Sequence, residues 1–217
     1  ILPLPIQARN DLPNVYADKC HQKADKSDVI ECEYGVQSNA DYTIALVGGS
    51  HSAHWLPALE AISEIENIKI VTYTKSGCRF TASKDEREDC QEWNSKLIEI
   101  LIARQPDLVF TTADVAGQST VPQGFVEHWE KLNKAGINVF AVRDNPRFGF
   151  DVAACVEESG AHSDKCSVAR EDVLPTNSPW DKLKNPPENV HYVDLSDYFC
   201  DDTRCHPVIG NVLVYRD

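Results

Sequence analysis

The stretch Ile44-Ala45-Leu46-Val47-Gly48-Gly49-Ser50-His51-Ser52-Ala53-His54-Trp55 constrains this chain more than any other, because an apolar run ends in two glycines and passes at once into a helical pattern. It reads as a strand, a sharp turn and a helix, which is the repeating unit of an α/β fold. Glycines let the chain turn without a Cβ clash. Ser50 at the turn then stands at the carboxyl edge of a sheet, where open α/β sheets gather their ligands. Its backbone N–H belongs to the first turn of the coming helix, where amides lack intrahelical acceptors and are placed to hold an anion. A serine that merely caps a helix has the same local pattern.

The unit recurs along the chain. Residues 42–47, 68–73, 108–111, 138–142 and 190–194 read as strands. Between them, Trp55, Leu59 and Ile62 give one helix its apolar stripe, and Trp93, Leu97, Ile100 and Leu101 give a second, which stops near Gln105-Pro106. Phe125, Trp129 and Leu132 mark a third helix after Pro122, with Gly136 as its C-terminal signal. This alternation predicts a parallel sheet with right-handed crossovers and helices on both faces, an α/β/α sandwich of three layers. Val208 to Leu213 reads as a hairpin around Gly210-Asn211. Residues 1–40 are polar and poorly periodic and read as an extended lead-in to a domain spanning 41–217. Residues 143–189, interrupted by five prolines, read as an insertion that would carry substrate contacts.

Composition narrows the function. With 217 residues, 42% of them hydrophobic, the chain suits one well-buried domain. No apolar run approaches the roughly 18 to 20 residues that cross a bilayer, and the start at Ile1 is taken to mark a fragment of a longer protein. A net charge of -13 argues against nucleic acid as a partner. Eight cysteines fall as close pairs in polar stretches: Cys20 and Cys32, Cys78 and Cys90, Cys155 and Cys166, Cys200 and Cys205. Sequential disulfides formed in an oxidising compartment are the simplest account. Zinc is the rival, but no Cys-x-x-Cys knuckle occurs and no metal is expected.

Several segments, in order, resemble the SGNH-type serine hydrolase domains, flavodoxin-like in fold, that occur behind membrane acyltransferase family 3 domains and O-acylate bacterial envelope glycans. Val47-Gly48-Gly49-Ser50-His51 resembles that family's Gly-Asp-Ser-His block, with Gly49 in place of the aspartate. The Ser50 turn is also similar to a nucleophile elbow that lacks the second glycine of Gly-x-Ser-x-Gly. Thr74-Lys75-Ser76-Gly77-Cys78 resembles the second block, and Pro106-Asp107-Leu108-Val109-Phe110 the strand before the third. Asp144-Asn145-Pro146 is similar to the Asp-x-Pro turn before the variable loop. The run from Val193 through Cys200 and Cys205 to Asp217 resembles the approach to the closing Asp-x-x-His.

The resemblance implies Ser50 as nucleophile, Asp217 as the acid that orients a catalytic histidine, and that histidine three residues beyond Asp217. It implies an oxyanion hole from the amides of Ser50 and Gly77, with Thr112 standing where relatives often place an asparagine. The expected activity is O-acyl transfer, acetyl above all, through a serine acyl-enzyme. A carbohydrate esterase and a non-catalytic glycan-binding domain are the alternatives. No cofactor is called for, since neither Gly-x-x-x-x-Gly-Lys-Ser/Thr nor Gly-x-Gly-x-x-Gly occurs. The implied partners are an acyl donor delivered by a membrane domain of the same parent chain and an envelope glycan or glycolipid acceptor. The implied location is extracytoplasmic, at the cell surface or in the periplasm and tethered to the bacterial membrane. Among the histidines present, His51 is expected to diverge from Ser50, His54 to lie at the surface, and His206 to be a weak alternative base; His21, His128, His162 and His191 read as ordinary residues.

Overall fold

The computed structural model describes residues 1–216. The strands of the main sheet are β1 (His21–Gln22), β2 (Cys32–Gly35), β3 (Tyr42–Gly48), β4 (Ile68–Lys75), β5 (Leu108–Thr112), β6 (Asn138–Val142) and, after the short β7 (Val168–Ala169), β8 (Val190–Val193). They lie in the order β1-β4-β3-β5-β6-β8, with β2 pairing antiparallel along β4 and the other pairs parallel. Counted along the chain, the five long parallel strands take the flavodoxin order 2-1-3-4-5, and the order reverses at β3 and β5.

Two-residue alternation divides the sheet's side chains between its faces. Ala45, Val47, Val71, Tyr73, Val109, Val139 and Ala141 face α5 (Glu88–Arg104) and α6 (Gln123–Lys134), where Trp93 and Trp129 are fully buried. Ile44, Leu46, Ile70, Phe110 and Val142 face the opposite layer, built from α2 (Asn14–Ala17), α3 (Ser50–Ala53) and α4 (Leu56–Glu66). The three-layer sandwich expected from the alternation is the fold. Longer loops, α1 (Pro5–Ala8), α7 (Val152–Ser159) and α8 (Arg170–Val173) gather at one end.

Three details differ from expectation. The buried face of α4 is Leu56, Leu59 and Ser63, while Ile62 is 46% exposed. Gly35 of β2 runs so close beneath the helix that a Cβ there would lie 2.9 Å from Ser63 Cβ, so the close crossing takes a small residue and turns Ile62 outward. On α5, Ile98 is buried and Ile100 only partly so. Residues 1–40, read as extended, carry α1, α2, β1 and β2; Leu2 also exchanges backbone hydrogen bonds with Asn211 and Leu213.

A second apolar cluster lies outside the sandwich. Ala8, Phe148, Val152, Val156, Leu174, Val208 and Leu213 pack around Cys166, Cys200 and Cys205, uniting α1, the 143–189 insertion and the C-terminal segment. Here β7 pairs with β9 (Arg204–Cys205), and β10 (Val208–Ile209) forms the expected hairpin with β11 (Val212–Leu213). All eight cysteines are bonded, Cys20–Cys32, Cys78–Cys90, Cys155–Cys166 and Cys200–Cys205, as sequence proximity suggests. No helix among the described residues is long and apolar enough to cross a membrane.

Candidate active site

The carboxyl ends of β3, β4 and β6 feed one open pocket of about 1200 Å³, which therefore lies at the reversal of strand order. Ser50 and His51 enter it after β3, Ser76 and Gly77 after β4, and Asn145 and Arg147 after β6. Val214, Tyr215 and Arg216 close it from the C-terminal side.

Ser50 is the first residue of α3 and is half-buried. Gly48 permits this turn: its φ is +128°, and a Cβ there would meet Ser52 Oγ at 2.4 Å. At Gly49 a Cβ would come within 3.2 Å of the Cys78 carbonyl oxygen. The strand end is therefore pressed against the loop that carries Gly77, and Ser50 and Gly77 line the same pocket.

That loop is held by charge. Lys75, the last residue of β4, is wholly buried, and its Nζ donates to the carbonyls of Lys23 at 2.8 Å and Ala24 at 2.8 Å while pairing with Asp89 Oδ2 at 2.9 Å. Asp89 also accepts from Arg87, and these two donors, Arg87 first, hold its carboxyl down at about 2. Arg87 in turn donates to the Gly77 carbonyl at 3.1 Å. The Gly77 peptide is thus fixed by its carbonyl side, with φ +58°.

Sequence reasoning set His51 aside, but its Nδ1 lies 2.6 Å from Asp144 Oδ1, and its ring lines the same pocket as Ser50. Asp144 is 5% exposed; it also accepts from the backbone N–H groups of Asn145 and Ala116. The hydrogen bond to this carboxylate raises the His51 pKa above its ordinary value, against burial and the charges of Arg79 and Arg147. The only sequence signal for this pair was that each residue fell in a block of the family resemblance; nothing linked the two.

Behind the pair, Asp114 accepts from the Asp144 backbone N–H at 2.7 Å. Burial, with the Asp144 charge adding to it, pushes the Asp114 carboxyl up to about 7. The folded state therefore keeps a proton that the unfolded chain releases near pH 3.8, and stability falls as pH rises between those values. Asp114→Asn keeps an acceptor and removes the titration. Urea midpoints are expected to show the variant more stable than wild type at pH 8, by on the order of a few kcal/mol, with the gap closing at pH 4. A gap of equal size at both pH values would contradict this.

Thr112 is buried at the end of β5 and is not among the residues that line the pocket. Asp217 lies outside the described residues. His54 lines the pocket, whereas His206, just past Cys205, pairs with Asp201 at 2.8 Å and is not among the lining residues. His128 packs on Phe80 and His21 bonds Thr74 Oγ1; burial lowers their pKa values to about 3 and about 4. His162 and His191 are exposed.

A family model described as SGNH domain (fused to AT3 domains) matches residues 19–217. Among solved structures, the periplasmic domain of a lipopolysaccharide acetyltransferase from Salmonella ser. Paratyphi A is similar in fold, with a TM-score of 0.59 and 18% identity over 82% of this chain and 79% of that one. No curated protein matches the sequence.

Proposed function

The chain belongs to the family of SGNH domains found fused to AT3 domains, and from that membership we propose that it is an extracytoplasmic O-acyltransferase, moving an acyl group, acetyl above all, to an envelope glycan or glycolipid through Ser50. The observation that carries this reading is Ser50 at the start of a helix, in a pocket shared with Gly77 and with the segment leading to Asp217. Four disulfides support an oxidising compartment. The fused AT3 domain is the proposed membrane tether and acyl source. Phe148, Phe150 and Tyr215 give the pocket an aromatic wall suited to the apolar face of a sugar ring.

In this mechanism Ser50 Oγ loses its proton to an imidazole as it attacks the donor's carbonyl carbon. The oxyanion is held by the amides of Ser50 and Gly77. Collapse of that intermediate expels the donor's leaving group, which takes up the proton, and leaves acyl-Ser50. An acceptor hydroxyl then attacks the acyl carbon while giving its proton to the imidazole, and the acyl–Oγ bond breaks as that proton passes to Oγ. Asp217 and a histidine three residues after it are the proposed orienting acid and base. His51 on Asp144 supplies a second imidazole in the pocket.

Intact mass after exposure to p-nitrophenyl acetate is the test. One acetyl group is expected on the peptide that contains Ser50, in protein extended a dozen residues past Asp217. Acetylation of the 217-residue chain itself, lost in His51→Ala, would make His51 the base. Absence of an adduct in both proteins would defeat the catalytic reading and favour a binding domain. Free acetate alone in the presence of glycan would make it an esterase.

A further inference from the structure

We propose that the acceptor brought to Ser50 carries an acidic group, a carboxylate or a phosphate, which Arg79 and Arg147 hold at the mouth of the pocket. The inference deepens the acyl-transfer reading and rests on it for the word acceptor.

The chain has 34 acidic residues against 21 Lys and Arg, so a guanidinium on its surface rarely lacks a carboxylate nearby. Arg9, Arg87, Arg104, Arg143 and Arg170 all pair with carboxylates. Arg204 bonds Ser167, and Arg216 is partnered as well. Arg79 and Arg147 differ: both are exposed, and neither guanidinium makes a hydrogen bond or ion pair among the described residues.

Those two arginines are also next to the same group. Both lie close enough to His51 for their charges to oppose its protonation, and Arg147 lines the pocket with Ser50. The Asp144 carboxylate, bonded to His51, is buried beneath the ring and turned away from solvent. The carboxylates that line the pocket are Asp11 and Asp151, and Asp151 is engaged by Arg9. The His51 imidazole and the Arg147 guanidinium thus share the pocket, with the Arg79 charge beside His51, in a protein that elsewhere repels anions. Like charges held together repel one another, and an anion seated among them removes that cost. Guanidinium suits this task, since its fork bonds carboxylate or phosphate with two parallel N–H groups. The local positive field would also draw an anionic ligand past the acidic surface.

Binding is best measured on Ser50→Ala protein, so that turnover plays no part. The probes are methyl glucuronide, glucose 1-phosphate and methyl glucoside, titrated by calorimetry or by NMR shifts of pocket residues. One or both acidic probes are expected to bind at least about tenfold more tightly than methyl glucoside, and the tighter of the two identifies carboxylate or phosphate. The double variant Arg79→Gln, Arg147→Gln is expected to bind all three alike. Both side chains are exposed and unpaired, so a thermal melt matching the parent verifies the fold. Equal binding of neutral and acidic probes, or an acidic preference that survives the double variant, overturns the proposal. An acidic preference without any acyl adduct on Ser50 would keep the anion site and sink the acyl-transfer reading alone.

Discussion

Replacing Ser50 with alanine is expected to lower p-nitrophenyl acetate turnover at least about 10³-fold, to the level of the uncatalysed or oxyanion-assisted background. The size follows from the chemistry: without Oγ no acyl-enzyme forms, and water would have to attack the donor directly. Stability should change by less than about 1 kcal/mol, because Ser50 is half-buried at the pocket's edge and the helix start is set by the glycines before it. Activity and melting temperature must therefore separate in this variant. Rates equal to wild type would mean that the serine is an ordinary helix-start residue.

Lys75→Met is expected to have the largest effect on stability, a loss of about 3–5 kcal/mol. Methionine nearly matches the length of the stem but carries no charge, so Asp89 loses its buried partner and the carbonyls of Lys23, Ala24 and Lys26 lose their shared donor. For a domain of this size that amounts to roughly 10 °C or more in Tm. The consequence should reach the pocket as well, because Asp89 also anchors Arg87, which bonds the Gly77 carbonyl. Hydrogen exchange is expected to quicken in residues 23–28 and around Gly77 before the rest of the sheet. A loss under about 1 kcal/mol would show that water replaces the ammonium at these carbonyls.

Much of the fold was legible because it rests on local periodicity. The strand Asn138–Val142 and the hairpin about Gly210-Asn211 fall where residue pattern places them. The helix Gln123–Lys134 follows Pro122 and buries Phe125, Trp129 and Leu132 as their spacing demands. The cysteine pairs were legible because each closes a short loop, with separations of 5 to 12 residues. The orientation of Ile62 was not, since the close approach of Gly35 from another strand decides it. Nor was the structure in residues 1–40, whose short strands carry no period of their own and form only against the ready edge of β4.

The candidate site divides in the same way. The sequence by itself determined the strand-turn-helix that presents Ser50 and the alternation that makes a parallel sheet, because both depend on neighbours within a few residues. Only the tertiary structure decided that His51 rests on Asp144, 93 residues away, that Lys75 gathers carbonyls some 50 residues earlier, and that Arg79 and Arg147 are left unpaired beside them. Such partnerships follow from which strand ends the sheet order brings together, and a charged or polar side chain shows no periodic trace of the partner it will meet there.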